Sequence, residues 1–291
     1  MSTAPASRSA SVGYAGEIAV RVRFRDPLLA EWLKFWSLRS TYAVLAGGAL
    51  TVTGINVNSA RSNADRLTRS PEPALADPAD VRFVFDPLAA AFTDPAWQLF
   101  MVFAASVGAA VVFGEYGSGL IRTTFTAVPA RRSVAAAKLT VVTGVALGYG
   151  AVVSGASFGL TQAILRDHRG LSVADPGALR AVVASALLAP VCALVGMALA
   201  ALVRHPAGSV GAVVGVLVLM PGLFNGDTYR WVREIGNALP VNAWRELVKN
   251  PERAIGVAKY PVTPLEAWLT FGGWALVAGV LTVVLMDRRE V

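Results

Sequence analysis

Apolar residues dominate long stretches of this chain, and six of those stretches contain no Asp, Glu, Lys, Arg or His. At 1.5 Å per residue, about 20 residues of helix cross the roughly 30 Å hydrocarbon layer of a membrane. Each uncharged run is near or above that length; the runs are 41–57, 95–113, 139–165, 181–203, 206–225 and 267–286. The pattern therefore predicts an all-α membrane protein with six transmembrane helices.

A shorter amphipathic segment precedes the first run. Within residues 26–39, apolar side chains recur at helical spacing, while Glu31 and Lys34 lie off the stripe; its members are Leu28, Leu29, Trp32, Leu33 and Trp36. This spacing predicts a helix that lies in the membrane interface, with Trp32, Leu33 and Trp36 on its apolar face. The alternative is a cap helix in the cytosol. Residues 1–25 are rich in Ser, Ala and Arg and are expected to form a disordered tail.

The connections between the runs differ in length and character. Residues 58–94 carry several prolines and six acidic residues, which predicts a loop outside the membrane. Residues 226–266 place apolar residues at four-residue spacing in two groups, which predicts two short interfacial helices. Residues 114–138 are basic and contain glycine.

Composition agrees with placement in a membrane. Of 291 residues, 55% are hydrophobic and 15% are charged, whereas soluble domains carry about 25% charged residues. The net charge of +7 comes from basic residues that flank the apolar runs and form no contiguous patch, so nucleic acid is not an expected partner. The density of basic residues near the membrane puts both termini and residues 114–138 in the cytosol, and residues 58–94 and 226–266 outside.

The apolar runs offer little chemistry. Ion-coupled transporters need ionisable groups within the membrane, and the six runs contain none, which argues against that class. Ser157 lies in a G-x-S-x-G sequence, but the motif falls in the middle of an apolar run with neither histidine nearby, so a structural role is favoured over a nucleophile. No Walker A sequence and no His/Cys spacing typical of metal ligands occurs. We therefore expect no catalytic, cofactor-binding or metal-binding residue.

Polar and small residues within the runs have structural interpretations. Gln162 is expected to form a hydrogen bond between helices, and Asn56 is the other notable polar residue. Cys192 is expected to be a small core residue. Three G-x-x-x-G sequences would let helices approach closely; they are 144–148, 155–159 and 211–215.

The segment 114–138 is the most informative connection. Its apolar content is costly for a solvated loop and suggests docking to a partner; the residues concerned are Leu120, Ile121, Phe125 and Val128. Glu115 and Arg122 are placed to fix its angle through polar contacts. The alternative is a solvated basic loop that only sets orientation.

Several short motifs, taken in order, resemble a known family. They are Glu31-Trp32-Leu33-Lys34, Ser37-Leu38-Arg39-Ser40-Thr41, Glu115-Tyr116, Ile121-Arg122-Thr123-Thr124, Val128-Pro129 with Arg131, Lys138, and Leu239-Pro240. Together with the six-run layout, they resemble the permease subunits of type-2 ABC exporters, particularly actinobacterial ones. The resemblance extends from about residue 26 to the end of the chain and implies a six-span permease domain over 26–291.

The resemblance also implies partners and roles. It makes residues 26–39 the interfacial connecting helix and 117–129 a cytosolic coupling helix, with Glu115, Leu120, Ile121, Arg122 and Phe125 meeting an ATP-binding subunit. ATP and magnesium would be held by that subunit, so this chain itself would be no enzyme. A second permease copy or a paralogue would complete the transporter, a homodimer being favoured, in a bacterial cytoplasmic membrane. The alternative class is a non-transporting scaffold or immunity protein that binds a partner through its outer loops.

Overall fold

Every regular element of the described chain is helical. The computed structural model describes residues 24–69, 85–118, 131–168, 170–226, 228–251 and 259–288. The helices are α1 (Arg25–Ser37), α2 (Arg39–Arg69), α3 (Pro87–Ala91), α4 (Asp94–Ser118), α5 (Arg131–Ile164), α6 (Ala178–Val203), α7 (Pro206–Val214), α8 (Met220–Leu223), α9 (Arg230–Asn237), α10 (Pro240–Val248) and α11 (Pro264–Arg288). The all-α fold class is confirmed.

Five helical segments are long and apolar enough to cross a membrane. They are Pro87–Gly114, Arg132–Ile164, Ala178–Val203, Pro206–Leu223 and Pro264–Asp287, and they coincide with five of the six predicted runs. The fourth joins α7 to α8 through a π-helical turn at Gly215–Leu219. The chain is therefore a multi-pass helical membrane protein by the length and composition of these helices. Helix α2 covers the remaining run but is less apolar, because Thr53, Asn56 and Asn58 interrupt it.

Helix α6 forms the centre of the bundle and packs against α4, α5 and α11. Close backbone approach is made possible by glycines outside the predicted G-x-x-x-G pairs. A Cβ atom at Gly108 would lie 2.0 Å from the Ala193 carbonyl oxygen, and one at Gly196 would lie 1.9 Å from that of Ala105. Gly150 meets Ala186 in the same way. A Cβ atom at any glycine of the three G-x-x-x-G pairs would meet no atom of another described helix within 4 Å, so these pairs make no close contact within the described chain.

The antiparallel course of these helices gives the bundle two ends. The Lys138 end contains α1, the starts of α2, α5 and α7, and the last turn of α4. The Asn56 end contains the last turns of α2 and α5, the starts of α4, α6 and α11, and helices α3, α9 and α10. Helix α2 lies along the bundle between both ends, from Gly48 against Tyr149 to Asn56 against Ser157.

The connections are more helical than predicted. Helix α2 continues to Arg69, so the first part of the predicted loop 58–94 is helix, and α3 occupies part of its end. Likewise α4 extends through Ser118 and α5 begins at Arg131, which takes both flanks of the segment 114–138 into helices. The two short helices predicted within 226–266 are confirmed as α9 and α10. Helix α6 continues through Pro190 without ending.

Candidate functional site

A buried ion pair joins α1 to α5 at the Lys138 end. The Lys138 ammonium lies 2.6 Å from Glu31 Oε2, and the other carboxylate oxygen of Glu31 accepts a hydrogen bond from Lys34 at 3.0 Å. The side chains of Lys138 and Glu31 are 1% and 5% exposed. Removing two charges from water is costly and is offset only when the charges meet in good geometry. The pair therefore fixes where α1 lies against α5.

The structure buries two charged residues that the sequence pattern leaves outside the apolar segments. Glu31 lies off the apolar stripe, as its spacing predicts, and α1 turns Pro27, Glu31 and Phe35 towards the bundle. The apolar stripe lies on the outside, where Trp32 and Leu33 are exposed and Trp36 is half-buried. That orientation suits a helix whose outer face meets lipid, because an apolar stripe in water would be unfavourable.

Lys138 was also missed as a group inside the helical bundle. The predicted run began one residue later, at Leu139, but the helix begins at Arg131, so Lys138 lies two turns within it. The sequence did hold a usable signal. A lysine at the edge of an apolar run and a glutamate on a neighbouring amphipathic helix are a complementary pair, and burial of either one requires the other.

A cavity of about 280 Å³ lies beside the ion pair, between α1, α4 and α5. Its walls are mainly apolar; they include Phe35, Leu38, Ala110, Val111, Val141 and Val142. Its polar lining comes from Glu31, Lys34, Ser37 and Lys138. Helix α1 is thus bonded to α5 but separated from the last turns of α4 by open space.

The residues predicted to meet an ATP-binding subunit flank or lie beyond this cavity. Glu115 falls in the last turn of α4, directly after the cavity residue Gly114, and its side chain lies outside the described residues. Leu120, Ile121, Arg122 and Phe125 lie outside the described residues altogether. The structure therefore places the two helices that flank this segment and leaves its contacts a prediction.

At the Asn56 end, the buried side chains form neutral hydrogen bonds, and the ion pair between Arg245 and Asp94, at 3.1 Å, is partly exposed. Asn56 is fully buried; its side-chain nitrogen donates to Ser157 Oγ at 3.2 Å. Its oxygen accepts from the Thr93 hydroxyl at 2.7 Å and from the Thr93 backbone N–H at 3.3 Å. One side chain on α2 thereby contacts α5 and the residue that precedes α4.

A second group of neutral bonds closes the same end. Gln162 donates to the Pro87 carbonyl and accepts from the Leu171 N–H, each at 2.8 Å. The predicted role of Gln162 as a hydrogen-bonding residue between elements is confirmed. The Trp244 indole of α10 donates to Ser185 Oγ of α6 at 2.9 Å and packs against Trp97. A cavity of about 460 Å³ also lies at this end, between α9 and the start of α11.

These contacts also settle how Ser157 is used in this structure. Its hydroxyl accepts from Asn56, and its carbonyl accepts from Thr161. His168 contacts Thr68 instead, at the exposed end of α2. The described residues contain no group of three metal-ligating side chains. Cys192 is fully buried, as predicted for a core residue.

Comparison with known proteins does not assign this chain to a family. No model of a known protein family matches the chain. A search of curated proteins likewise finds no relative. The interpretation of the two ends therefore rests on the contacts themselves.

Proposed function

We propose that this chain is the permease subunit of an ATP-driven exporter of the type-2 ABC kind, which moves a hydrophobic or amphipathic compound out of a bacterial cell. The Lys138 end faces the cytosol, with both termini, and the Asn56 end faces outward. ATP and magnesium are held by a separately encoded subunit that docks at residues 117–129. A second copy or a paralogue completes the transport path.

Helix α2 serves as the first of six spans in this proposal. Its 31 residues correspond to about 46 Å at 1.5 Å per residue, more than the roughly 30 Å hydrocarbon layer. Its polar side chains do not oppose this, because Asn56 makes its hydrogen bonds inside the bundle. An internally paired amide is tolerated in a membrane where an unpaired one is not.

The observation that carries the proposal is the Glu31–Lys138 pair. It links α1 to α5 near the start of α5, which follows residues 119–130 in the chain. The two helices can therefore move together. A push on that segment by a partner would move α5, and the buried pair would carry α1 with it. The adjacent cavity gives α1 and α5 room to move relative to α4.

Glycines at the bundle surface support a second permease copy. The three G-x-x-x-G pairs meet no atom within 4 Å, so a helix from another chain can approach their backbones. The same faces also suit lipid. The proposal therefore takes its oligomeric state from the resemblance and uses these faces only as a surface that fits it.

The proposal is tested by binding and ATP hydrolysis. The chain is co-expressed with a candidate ABC-type ATP-binding subunit, and the two are purified together from the membrane. Phe125→Ala is expected to weaken binding at least tenfold and to remove cargo-stimulated hydrolysis, because truncating an interface aromatic commonly costs about 2 kcal/mol or more.

The matched control is Arg131→Ala, which lies beyond the Pro129 stop and is expected to change binding much less. Retention of full affinity by the Phe125 variant would contradict a docking role for this segment. A chain that never retains an ATP-binding subunit would instead favour the scaffold or immunity interpretation.

One observation keeps that second interpretation in view. The last turns of α2 pack with α3 and the end of α5 around a small separate core, formed by Ala60, Phe85, Ala90 and Leu165. Such a rigid extension at the outer end could present a binding surface. Export remains the stronger proposal because the extension does not explain the buried ion pair at the opposite end.

A further inference from the structure

We infer that the hydrogen bonds of Asn56 form a latch, which holds α2 and the start of α4 against α5 and which must open when the transport path opens outward. The inference rests on the proposed function, since only a transporter needs this end to open. Asn56 is thus a positioning residue for transport. Its side chain is fully buried and makes three hydrogen bonds, one to Ser157 of α5 and two to Thr93. Separation of α2 from α5 would break the bond to Ser157.

The chemistry of the bonds suits reversible opening. When neutral donors and acceptors separate at the mouth of a path, water takes their place at little net cost. Separation of Glu31 from Lys138 would instead break a contact between two buried charges, which is costly. The structure therefore combines one end that can exchange its partners with water and another that is suited to stay joined throughout a cycle.

The contact between α2 and α5 on the Lys138 side of Asn56 is also suited to movement. Tyr149 of α5 meets α2 at Gly48, where a Cβ would lie 2.6 Å from the phenol oxygen. That oxygen is buried and has no hydrogen-bond partner among the described residues. Nothing directional joins the Tyr149 hydroxyl to α2 at this point, so the bonds of Asn56 are the specific attachment nearby.

The test measures access to α5 on either side of the bundle. In a Cys192→Ala background, a reporter cysteine is placed at Val153, which is fully buried one turn from Ser157 towards the Lys138 end. A second reporter is placed at Val142, which is 1% exposed and lines the cavity at the Lys138 end. The protein is reconstituted in nanodiscs, and the labelling rate with a charged methanethiosulfonate reagent is measured at each reporter.

Asn56→Leu keeps the approximate size of the side chain but removes all of its hydrogen bonds. We expect it to raise labelling at Val153→Cys at least tenfold and to leave labelling at Val142→Cys unchanged. Thr93→Ser keeps both Thr93 donors and should label like the parent. Thr282→Val is the control for loss of a buried hydroxyl, because Thr282 bonds only within its own helix, to Ala278.

Equal labelling of Val153→Cys in the parent and the Asn56→Leu variant would overturn the latch. So would an equal rise at both reporters or in the Thr282 control, since that would show general loosening. If Asn56→Leu does not fold, the Thr93→Val and Ser157→Ala variants each remove one bond, and a rise at Val153→Cys in neither would overturn the inference.

A last arm separates this inference from the proposed function. With the ATP-binding subunit bound, ATP should raise labelling at Val153→Cys in the otherwise unchanged chain. ATP hydrolysis and export without that rise would leave the exporter standing and overturn the latch. Failure to bind any ATP-binding subunit would contradict the exporter, while the Asn56→Leu comparison would still decide whether these bonds hold the outer end closed.

Discussion

The two ends of this bundle solve the same packing problem by different means. At the Lys138 end, one buried ion pair attaches α1 to α5 beside a cavity with mainly apolar walls. At the Asn56 end, neutral hydrogen bonds from the buried Asn56 and Gln162 tie the elements together. A buried ion pair gives an attachment that is costly to break, whereas water can replace the partners of neutral hydrogen bonds at little net cost. We call the Glu31–Lys138 contact the joint, because it holds α1 to α5, and we call the Asn56 end the sealed end, because its hydrogen bonds hold α2 against α5.

The largest expected effect comes from breaking the charged joint. Lys138→Met leaves Glu31 buried with Lys34 as its remaining described partner and should lower the free energy of unfolding by about 3 kcal/mol. Adding Glu31→Leu should recover most of that loss, because the uncompensated charge is then gone. Thermal and denaturant unfolding in detergent would measure both variants.

A surface pair supplies the control for this prediction. Arg132 pairs with Asp287 at 2.8 Å at the same end, but its side chain is 80% exposed. Arg132→Ala should change stability by less than about 1 kcal/mol, since exposed ion pairs contribute little. Equal losses in the Lys138 and Arg132 variants would show that burial of the pair does not matter.

The contrast between the ends explains what the sequence could predict. Periodicity and length located five apolar spans, the two short helices α9 and α10, and the interhelical role of Gln162. These follow from local spacing or from the cost of an unpaired amide in an apolar run. Long uncharged runs determine helices almost independently of what surrounds them.

The Glu31–Lys138 contact could not be predicted from the sequence, because it depends on which faces of α1 and α5 pack together. The amphipathic pattern of α1 predicts an interfacial helix, but it does not show that the polar face carrying Glu31 packs against the bundle and pairs with Lys138. The same limit applies to glycine. The spacing of G-x-x-x-G pairs did not reveal that Gly108 and Gly196 make the close contacts, since their partners are alanine carbonyls on another helix.

A smaller effect is expected at the sealed end. Gln162→Leu should lower the free energy of unfolding by about 1–2 kcal/mol, because the Pro87 carbonyl and the Leu171 N–H lose their partner. Hydrogen exchange should quicken at the Leu171 amide, which would place the loss at this end. The control is Thr270→Val, since the hydroxyl of the half-buried Thr270 donates to the Glu266 carbonyl of its own helix and to no other described residue. A loss as large as that of Lys138→Met would remove the contrast between the ends.

The smallest expected change in stability comes from filling the cavity at the Lys138 end. Ala110 lines that cavity and is exposed, so Ala110→Leu adds apolar atoms to the open space without displacing packed ones. It should raise the free energy of unfolding by up to about 1 kcal/mol, as filling a void commonly does. Ala151→Leu adds the same atoms to an exposed position on α5 outside the cavity lining and should have no such effect.

The value of this variant lies in the opposite signs expected for stability and activity. If α1 and α5 move as a unit into that space during each cycle, Ala110→Leu should slow ATP-dependent export in membrane vesicles severalfold while the protein becomes more stable. If the cavity is only a packing defect, filling it should raise stability and leave export unchanged. Comparison with Ala151→Leu removes any general effect of a larger side chain in lipid. A more stable protein that exports at the parent rate would therefore show that the joint at the Lys138 end does not need the space beside it.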